Sequence, residues 1–246
     1  MMEKNNRRIP YAAYGIIALV GILIAAAGIV FHQSFFHILP LFVSLFISYL
    51  QSRVSRYAPL LGSFNSLLYA AVYGHYHLYA SMMYAILVSF PLQLITFLRW
   101  QKNRWRGTTV FRCMTVRQRG LTVFLFIAAW AGLLILLRLI GSSFAILDNT
   151  ISLLGILISF LTMFAYIEYT TLMIPSSLIN ILLYISMLRE HPEQSTYLIF
   201  SVYCFICQCI AYKNAREAYR QQNAVSGDPG KNLSADCVKD EKNKPC

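Results

Sequence analysis

Two asparagines lie within long apolar stretches of this chain, and both occur in the same short pattern. Asn65 and Asn180 each follow an apolar residue and are followed by x-Leu-Leu-Tyr, which ends at Tyr69 and Tyr184. An amide offers hydrogen-bond donors and an acceptor, and a tyrosine ring can stack on a flat ligand. Polar side chains at membrane depth are costly and usually functional. We therefore predict that the pair lines a substrate cavity, in preference to bonding neighbouring helices.

Other polar residues interrupt the same apolar stretches and extend this predicted site. The substrate-binding set comprises Asn65, Tyr69, Gln93, Asn149, Asn180, Tyr184 and Tyr203. Asp148 either pairs with Arg138 or serves a substrate or proton. Pro91 and Pro175 each remove a backbone N–H, and such a helix break is typical of a hinge or of a packing kink.

The chemistry of a catalytic or metal site is missing from the sequence patterns. The chain contains neither Gly-x-Ser-x-Gly nor His-Glu-x-x-His, and its internal acids are well separated. Cys204, Cys207 and Cys209 fall on different sides of one helix, which favours packing over metal binding. We therefore predict no catalytic residue, no metal and no cofactor, and an intramembrane enzyme is the disfavoured alternative class.

The elements that must position these residues are predicted from composition. Of the 246 residues, 57% are hydrophobic and only 13% are charged, whereas a soluble domain carries about 25% charged residues. An α-helix needs about 20 mostly apolar residues to cross a bilayer. The chain is therefore predicted to be an all-α polytopic membrane protein with eight transmembrane helices. The spans cover 11–31, 35–50, two spans within 59–98 that fold back near 74–77, 120–140, 146–166, 170–188 and 194–212.

Basic residues predict how these spans are oriented. In an eight-span topology, every Lys and Arg except Arg138 and Arg189 falls on the side of the N-terminus. The positive-inside rule then places both termini in the cytoplasm. The membrane is expected to be the cytoplasmic (inner) membrane of the cell. The net charge of +11 is thus an orientation signal and does not indicate nucleic acid. The basic loop 101–119 is expected to meet anionic lipids of the bilayer.

The repeated asparagine pattern also predicts the internal organisation. It lies in the third and the seventh span, which are the middle helices of two groups of three. A single connecting helix keeps the two groups parallel, an arrangement known in transporters. The predicted segments are a cytoplasmic N-terminus (1–10), an extra helix (11–31), a first three-helix repeat (35–100), the basic loop (101–119), a linker helix (120–140), a second three-helix repeat (146–212) and a disordered cytoplasmic tail (213–246).

Several of these residues together resemble the PnuC-type vitamin transporter family. In the first half, Gly62, Asn65 and the run Leu78-Tyr79-Ala80-Ser81 carry the resemblance. In the second half it is carried by Asp148-Asn149, by Tyr166-Ile167-Glu168 and by Asn180, in the order and spacing of the family. The resemblance covers residues 35–212, nearly all of the predicted membrane part.

The resemblance implies a function that the residues alone do not give. Members of this family have a SWEET-like 3+1+3 fold and carry nicotinamide riboside, and relatives carry thiamine or riboflavin. Uptake is facilitated diffusion, drawn inward by phosphorylation in the cytoplasm. The expected partners are therefore a small-molecule vitamin and the lipid bilayer. The sequence is also compatible with a homo-oligomer.

One segment departs from the family pattern. Carriers of nicotinamide riboside have a W-x-x-W segment just before the asparagine of span seven, whereas residues 169–177 contain no tryptophan. Stacking on the nicotinamide ring must then come from tyrosines, for which Tyr69, Tyr84, Tyr184 and Tyr203 are the candidates. Thiamine is accordingly the alternative substrate.

Overall fold

The computed structural model describes residues 11–75, 82–83, 85–140, 145–188 and 192–225. This part of the chain contains eight α-helices of at least 13 residues, one π-helical turn, one 3-10 turn and one β-hairpin. The helices are α1 (Tyr11–Val30), α2 (Phe35–Ser52), α3 (Ala58–His75), α4 (Phe90–Lys102), α5 (Val116–Ile140), α6 (Ala145–Met163), α7 (Glu168–Met187) and α8 (Ser195–Val225). The π-helical turn Ala85–Ser89 precedes α4, the 3-10 turn Pro192–Gln194 precedes α8, and strands β1 (Arg104–Trp105) and β2 (Thr108–Thr109) form the hairpin.

The prediction of eight helices is confirmed, because each predicted span coincides with one of these helices. By length and composition, Val116–Ile135, Glu168–Met187 and Ser195–Val225 could each cross a membrane, and four other helices carry shorter apolar segments. Many large apolar side chains lie on the outside of the bundle, such as Phe124 on α5, which is 68% exposed. Exposed apolar faces of this extent mark an interaction surface, and on a helix of membrane-spanning length such a surface contacts the lipid bilayer.

Helix contacts divide the bundle into two groups that face each other. Helices α2, α3 and α4 pack in sequence, as do α6, α7 and α8, and the groups meet through α2 with α8 and α4 with α6. Helix α1 packs against α2 and α8 around a buried cluster that includes Ile24, Leu41, Leu45 and Tyr203. Helix α5 packs against α6.

One end of the bundle, called the basic end here, is where α2, α4 and α6 end and where the hairpin lies. An aromatic cluster fills it, in which Trp100, Phe111 and Tyr169 contact one another with ring centroids 6.1–6.5 Å apart. The Trp100 Nε1 donates a hydrogen bond to the carbonyl of Thr162 at 2.9 Å. The cluster therefore joins α4, the hairpin segment, α6 and α7 at this end.

Two helices end at the basic end in the same way. After α2, Val54 has a φ of 52°, its N–H donates to the Gln51 carbonyl, and the next N–H donates to the Leu50 carbonyl. After α6, Ala165 has a φ of 57° and the same two bonds reach residues 162 and 161. This is the Schellman motif, which usually places glycine at the left-handed position. Both turns are therefore strained, since a residue with a Cβ pays about 1–2 kcal/mol in this conformation.

The prediction of a disordered tail from residue 213 is wrong for its first part. Helix α8 continues to Val225, and Gln222 near its end is buried. The Gln222 Oε1 accepts the N–H of Phe111 at 3.0 Å, and its Nε2 donates to the Thr109 carbonyl at 2.8 Å. These bonds to the hairpin segment, together with burial of Ala215, give this polar segment a partner and so keep it helical. Residues 226–246 lie outside the described part.

The loop predicted over 101–119 is also more ordered than expected. It folds as the hairpin, and α5 begins at Val116 instead of residue 120. Beyond the hairpin, the Arg112 N–H donates to the Ala165 carbonyl and the Ile167 N–H donates to the Arg112 carbonyl, each at 2.9 Å. The expected fold-back near 74–77 falls partly outside the described residues, with α3 ending at His75.

Candidate functional site

A cavity of about 390 Å³ lies between α2, α3, α7 and α8. Its volume is within the range of about 300–1,000 Å³ that is typical of small-molecule sites. We call it the tyrosine cavity, and its lining consists of Leu41, Tyr69, Ser177, Asn180, Tyr184, Tyr197, Phe200, Ser201, Cys204 and Gln208. It brings together three of the predicted site residues: Tyr69, Asn180 and Tyr184.

Two tyrosines form an aromatic pair on one side of this cavity. The rings of Tyr184 on α7 and Tyr197 on α8 are stacked, with centroids 5.7 Å apart and planes inclined by 24°. The pair lies where α7 ends and α8 begins, which is the end of the bundle opposite the basic end. Sequence reasoning missed Tyr197 because the residue belongs to no repeated pattern and only the pairing of α7 with α8 brings it to the cavity.

The polar groups on α7 bond to their own helix and leave acceptors for a ligand. The Asn180 Nδ2 donates to the Ser176 carbonyl at 3.2 Å, and the Ser177 hydroxyl donates to the Met173 and Ile174 carbonyls at 3.1 and 2.9 Å. The hydroxyl donor of Ser177 is thereby used, while its lone pairs and the Asn180 Oδ1 can still accept hydrogen bonds. Pro175, predicted as a hinge or a packing kink, lies inside this helix.

No charged side chain belongs to the lining of the tyrosine cavity as the structure describes it. An anionic ligand would leave its charge unpaired there, and an unpaired charge in a poorly hydrated site is expensive. The cavity therefore suits a ligand that is neutral or that carries a cation able to rest on tyrosine faces.

Asn65 has a different position from its sequence counterpart Asn180. It is buried on α3 and its Nδ2 donates to the Ser44 hydroxyl on α2 at 2.9 Å. The Oδ1 of Asn65 is buried without a hydrogen-bond partner among the described residues. Asn65 thus links two helices through one end of its amide and is not in the lining of the tyrosine cavity.

Gln93 lines a second, smaller cavity of about 200 Å³ at the basic end. Its Nε2 donates to the hydroxyls of Ser66 and Ser89 at 3.0 and 3.2 Å. Gly62 makes this position accessible, because a Cβ there would overlap the Gln93 Oε1. The lining of this basic-end cavity consists of Gln51, Val54, Ser55, Ala58, Pro59, Leu92, Gln93, Thr96, Trp100, Ile158, Ser159, Thr162, Tyr169 and Met173.

Asn149 and Tyr203, also predicted as site residues, bond neighbouring helices. The fully buried Asn149 donates its Nδ2 to the Trp130 carbonyl on α5 at 2.8 Å. The Tyr203 hydroxyl donates to the Leu45 carbonyl on α2 at 3.3 Å. Neither belongs to the lining of the two cavities.

Of the remaining predicted residues, Pro91 affects the backbone of a helix, and the side chains of the others lie outside the described part. Pro91 is the second residue of α4, directly after the π-helical turn. The helices α5 and α6 contain Arg138 and Asp148, but the side chains of both residues, like the whole of Tyr84, lie outside the described part. Among the described residues no group of three His, Cys, Asp or Glu side chains could hold a metal ion.

Apolar helices with exposed hydrophobic faces, around a cavity whose described lining is polar and uncharged, are typical of a multi-pass membrane transporter. A family model described as "Nicotinamide mononucleotide transporter" matches residues 34–214, and the chain belongs to this family. The resemblance inferred from the sequence is thereby confirmed, and the protein is a transporter rather than an enzyme.

The fold is also similar to a solved structure. A crystal structure described as that of the vitamin B3 transporter PnuC matches with a TM-score of 0.68 and 20% sequence identity, covering 86% of this chain and 93% of the other. No curated protein sequence matches the chain.

Proposed function

We propose that this transporter carries nicotinamide riboside across the membrane through the tyrosine cavity. The observation that supports this proposal is a cavity whose described lining has no charged side chain, with the stacked pair Tyr184 and Tyr197 on one side and amide and hydroxyl acceptors along α7. Nicotinamide riboside has a cationic pyridinium ring, which is attracted to the faces of tyrosine rings. Its amide and hydroxyl groups can donate hydrogen bonds to the acceptors along α7. The tyrosines would take the stacking role of the missing tryptophans.

The same cavity favours the riboside over its phosphorylated form. A phosphate is normally held by Arg or Lys, through charge-assisted hydrogen bonds. Since the described lining contains neither, nicotinamide mononucleotide would place its phosphate in a site without a counter-charge. This argument concerns the 5′-phosphate alone and leaves the ring and the ribose as the recognised parts.

Thiamine is the alternative substrate. Like the riboside, it combines a cationic ring with an amino donor, so a cavity lined by tyrosines and without described charge is compatible with both vitamins. Riboflavin, which other relatives in the resemblance carry, lacks the cation. Competition between the vitamins separates the alternatives, because a cavity selective for the riboside binds it more tightly than thiamine.

Transport is proposed to be facilitated diffusion with phosphorylation of the product in the cytoplasm. In support, no carboxylate that could carry a coupled proton or sodium ion belongs to the described lining of the tyrosine cavity. Purified protein in vesicles would then equilibrate the substrate without accumulating it, and a trapping kinase would be needed for net accumulation.

The two helix groups are proposed to be parallel three-helix repeats, 35–100 and 146–212, joined by the linker helix α5 and preceded by α1. The packing of α2, α3 and α4 in sequence, matched by that of α6, α7 and α8, supports this proposal. The contacts of α2 with α8 and of α4 with α6 support it as well.

The basic end is proposed to face the cytoplasm. Arg104, Arg106 and Arg112 are exposed around the hairpin, and the positive-inside rule assigns such loops to the cytoplasmic side. In this orientation the N-terminus and the C-terminal tail are cytoplasmic, the membrane is the cytoplasmic one, and the exposed arginines meet anionic lipid headgroups.

The test is uptake by the full chain reconstituted in proteoliposomes. We expect saturable entry of radiolabelled nicotinamide riboside that stops at equal concentrations inside and outside, with weaker competition by thiamine and little by nicotinamide mononucleotide. Empty vesicles are the control. Saturable uptake of thiamine without uptake of the riboside would establish the alternative, and uptake of neither would overturn the proposal.

A further inference from the structure

The two groups of helices are tied together at the basic end by one short stretch of chain. Residues 109–114, called the clasp segment here, run from the second strand of the hairpin to the residues before α5. They bond to α7, to α8 and to the turn between α6 and α7. The tyrosine cavity lies between the same two groups nearer the other end, where Tyr184 and Tyr197 stack.

The clasp segment is attached to the first group through the hairpin. The Val110 N–H and the Thr109 hydroxyl both donate to the Asn103 carbonyl, at 2.9 and 3.2 Å, directly after α4. The Gly107 carbonyl in the hairpin accepts the N–H of Arg56, which lies between α2 and α3, at 3.4 Å. The hairpin is therefore an extension of α4, and a movement of the first group would carry the clasp segment with it.

Hydrogen bonds of 2.8–3.0 Å join the clasp segment to the second group. They run from the Arg112 N–H to the Ala165 carbonyl, from the Ile167 N–H to the Arg112 carbonyl, from the Phe111 N–H to the Gln222 Oε1, from the Gln222 Nε2 to the Thr109 carbonyl and from the Met114 N–H to the Glu168 Oε1. Because these bonds cross from one group to the other, they must break before the groups can part at this end.

The clasp segment also fills the space between α4 and α7. The ring of Phe111 contacts Trp100 on α4 and Tyr169 on α7, with centroids 6.1 and 6.4 Å apart, and Phe111 is only 4% exposed. Both Trp100 and Tyr169 line the basic-end cavity. Phe111 therefore supports the wall of this cavity from the side of the hairpin.

We propose that the clasp segment is the gate of this transporter at the basic end, and that the structure is the state in which this gate is closed. The inference rests on the proposed function. Transporters with two helix groups work by moving one group against the other around the substrate site. In each cycle the bonds between the clasp segment and the second group break, Phe111 separates from Tyr169, the substrate leaves at the basic end, and the bonds form again.

A reversible disulfide tests whether the gate must open. Arg112 and Tyr166 lie opposite each other in a parallel β-bridge, and paired strands are about 4.7–4.9 Å apart, which a disulfide can span. Oxidation of Arg112→Cys/Tyr166→Cys, made with Cys113→Ser to prevent a wrong pairing, locks the clasp segment to the second group. We expect nicotinamide riboside uptake by proteoliposomes to fall about tenfold or more and to return with dithiothreitol, since opening is a required step. Its dissociation constant should stay unchanged.

The single variants Arg112→Cys and Tyr166→Cys, each with Cys113→Ser, are the matched controls. They keep the other cysteines of the chain but cannot form this bond, so oxidation should not alter their uptake. Mass spectrometry shows how much of the double variant is cross-linked. Equal uptake by the cross-linked and the reduced double variant would overturn the proposal.

Loosening the gate is an independent test that needs no disulfide. Gln222→Leu removes both side-chain bonds to the clasp segment, and Gln221→Leu makes the same change at the next residue, which is exposed. Because the structure adopts the closed state, opening is expected to limit the cycle, and weakening the closed state should speed uptake by about threefold or more. A lower Tm than that of Gln221→Leu without faster uptake would show that these bonds serve stability alone, against the proposal.

Failure of the proposed function is a separate outcome. If thiamine enters the vesicles and nicotinamide riboside does not, the same variants are measured with thiamine. If neither enters, the proposed function fails, and spin labels at Arg106→Cys and Ala224→Cys, both exposed positions, still report on the gate by pulsed electron paramagnetic resonance. With the native cysteines replaced by serine, a gate gives a second, longer distance that increases in Gln222→Leu, whereas one unchanged distance would overturn the inference.

Discussion

The basic end and the tyrosine cavity use polar side chains in different ways. At the basic end, side chains bond to elements far away in the sequence, as Gln222 does with the hairpin and Trp100 does with α6. In the tyrosine cavity, Asn180 and Ser177 donate to carbonyls of their own helix. The first pattern fixes the backbone, and the second leaves acceptors facing a space that a ligand can enter.

The two regions also differ in charge. Around the basic end Arg104, Arg106 and Arg112 are exposed, and the Arg119 Nη2 meets the Glu168 Oε1 at 2.9 Å. The same carboxylate oxygen accepts the N–H of Met114 at 2.9 Å. The described lining of the tyrosine cavity has no ionised side chain. We therefore expect stability and substrate selectivity to depend on separate residues, so that substitutions affect the two properties separately.

The largest expected effect comes from removing the carboxylate of the basic end. In Glu168→Ala the Met114 N–H loses its acceptor and Arg119 loses its bond to the carboxylate, and hydrogen bonds to charged groups contribute about 1.5–3 kcal/mol. Because Glu168 is partly exposed, we expect a loss of about 2 kcal/mol and a lower Tm in detergent. The affinity for nicotinamide riboside should remain within twofold.

Glu217→Ala is the control for this change, since Glu217 is exposed on α8. A similar loss of Tm in both variants would show that Glu168 has no special role. A loss of riboside affinity without a loss of Tm in Glu168→Ala would contradict the separation of the two regions.

The next effect concerns the aromatic end of the tyrosine cavity. Tyr184→Leu keeps an apolar side chain but removes the ring that stacks with Tyr197, and stacking or cation contacts contribute about 0.5–2 kcal/mol. We expect about tenfold weaker binding of nicotinamide riboside by calorimetry, with the Tm little changed. Tyr184→Phe, which keeps the ring, should bind within threefold of the wild type; equal losses in both variants would argue against stacking.

A smaller effect is expected where Gln93 reaches across to α3. In Gly62→Ala the added methyl group displaces the Gln93 amide from Ser66 and Ser89. The lost bonds, worth about 1 kcal/mol, are nearly offset by the gain of about 0.5–1 kcal/mol from alanine in a helix. The Tm should change little.

Gly155→Ala is the matched control, because no atom lies near its added Cβ. It should raise the Tm in a thermal shift assay, since it gains helix propensity without displacing a neighbour. Equal rises in Gly62→Ala and Gly155→Ala would show that the bonds of Gln93 do not contribute to stability.

A further small effect concerns the turn after α6. Ala165→Gly relieves a left-handed backbone that costs about 1–2 kcal/mol, and this gain is partly offset by the greater freedom of glycine in the unfolded chain. We expect stabilisation by about 0.5 kcal/mol, measured as a small rise of Tm. Ala128→Gly within helix α5 should lower it, and a fall in both variants would show that the turn is not strained.

Much of the fold could be predicted because the information is local. Long uncharged stretches predict spans without knowledge of their neighbours, and all eight helices follow from them. The same holds for Tyr69, Asn180 and Tyr184, whose polar or aromatic groups stand out in an apolar context. The end of α8 could not be predicted, because Gln222 is buried through hydrogen bonds to a hairpin segment more than one hundred residues earlier in the chain.

The polar site residues show the same limit more sharply. Asn65 and Asn180 share one sequence pattern, but only Asn180 lines the tyrosine cavity, while Asn65 bonds to Ser44. No sequence pattern marked Tyr197 or Gln208 as a cavity residue. Tyr197 belongs to no repeat, and an amide near the end of a span, such as that of Gln208, resembles the polar segment that follows. Which face of a helix meets a cavity depends on pairing between helices, and a single sequence does not encode that in a readable pattern.

The bonds of Gln222 have a consequence for the order in which the protein is made. The hairpin segment leaves the ribosome more than one hundred residues before Gln222, so the Phe111 N–H and the Thr109 carbonyl cannot bond to Gln222 until α8 has been synthesised. Domains generally form while synthesis proceeds from the N-terminus. A ribosome-bound chain that stops before residue 222 should therefore leave the hairpin open to protease, and completion of α8 should protect it.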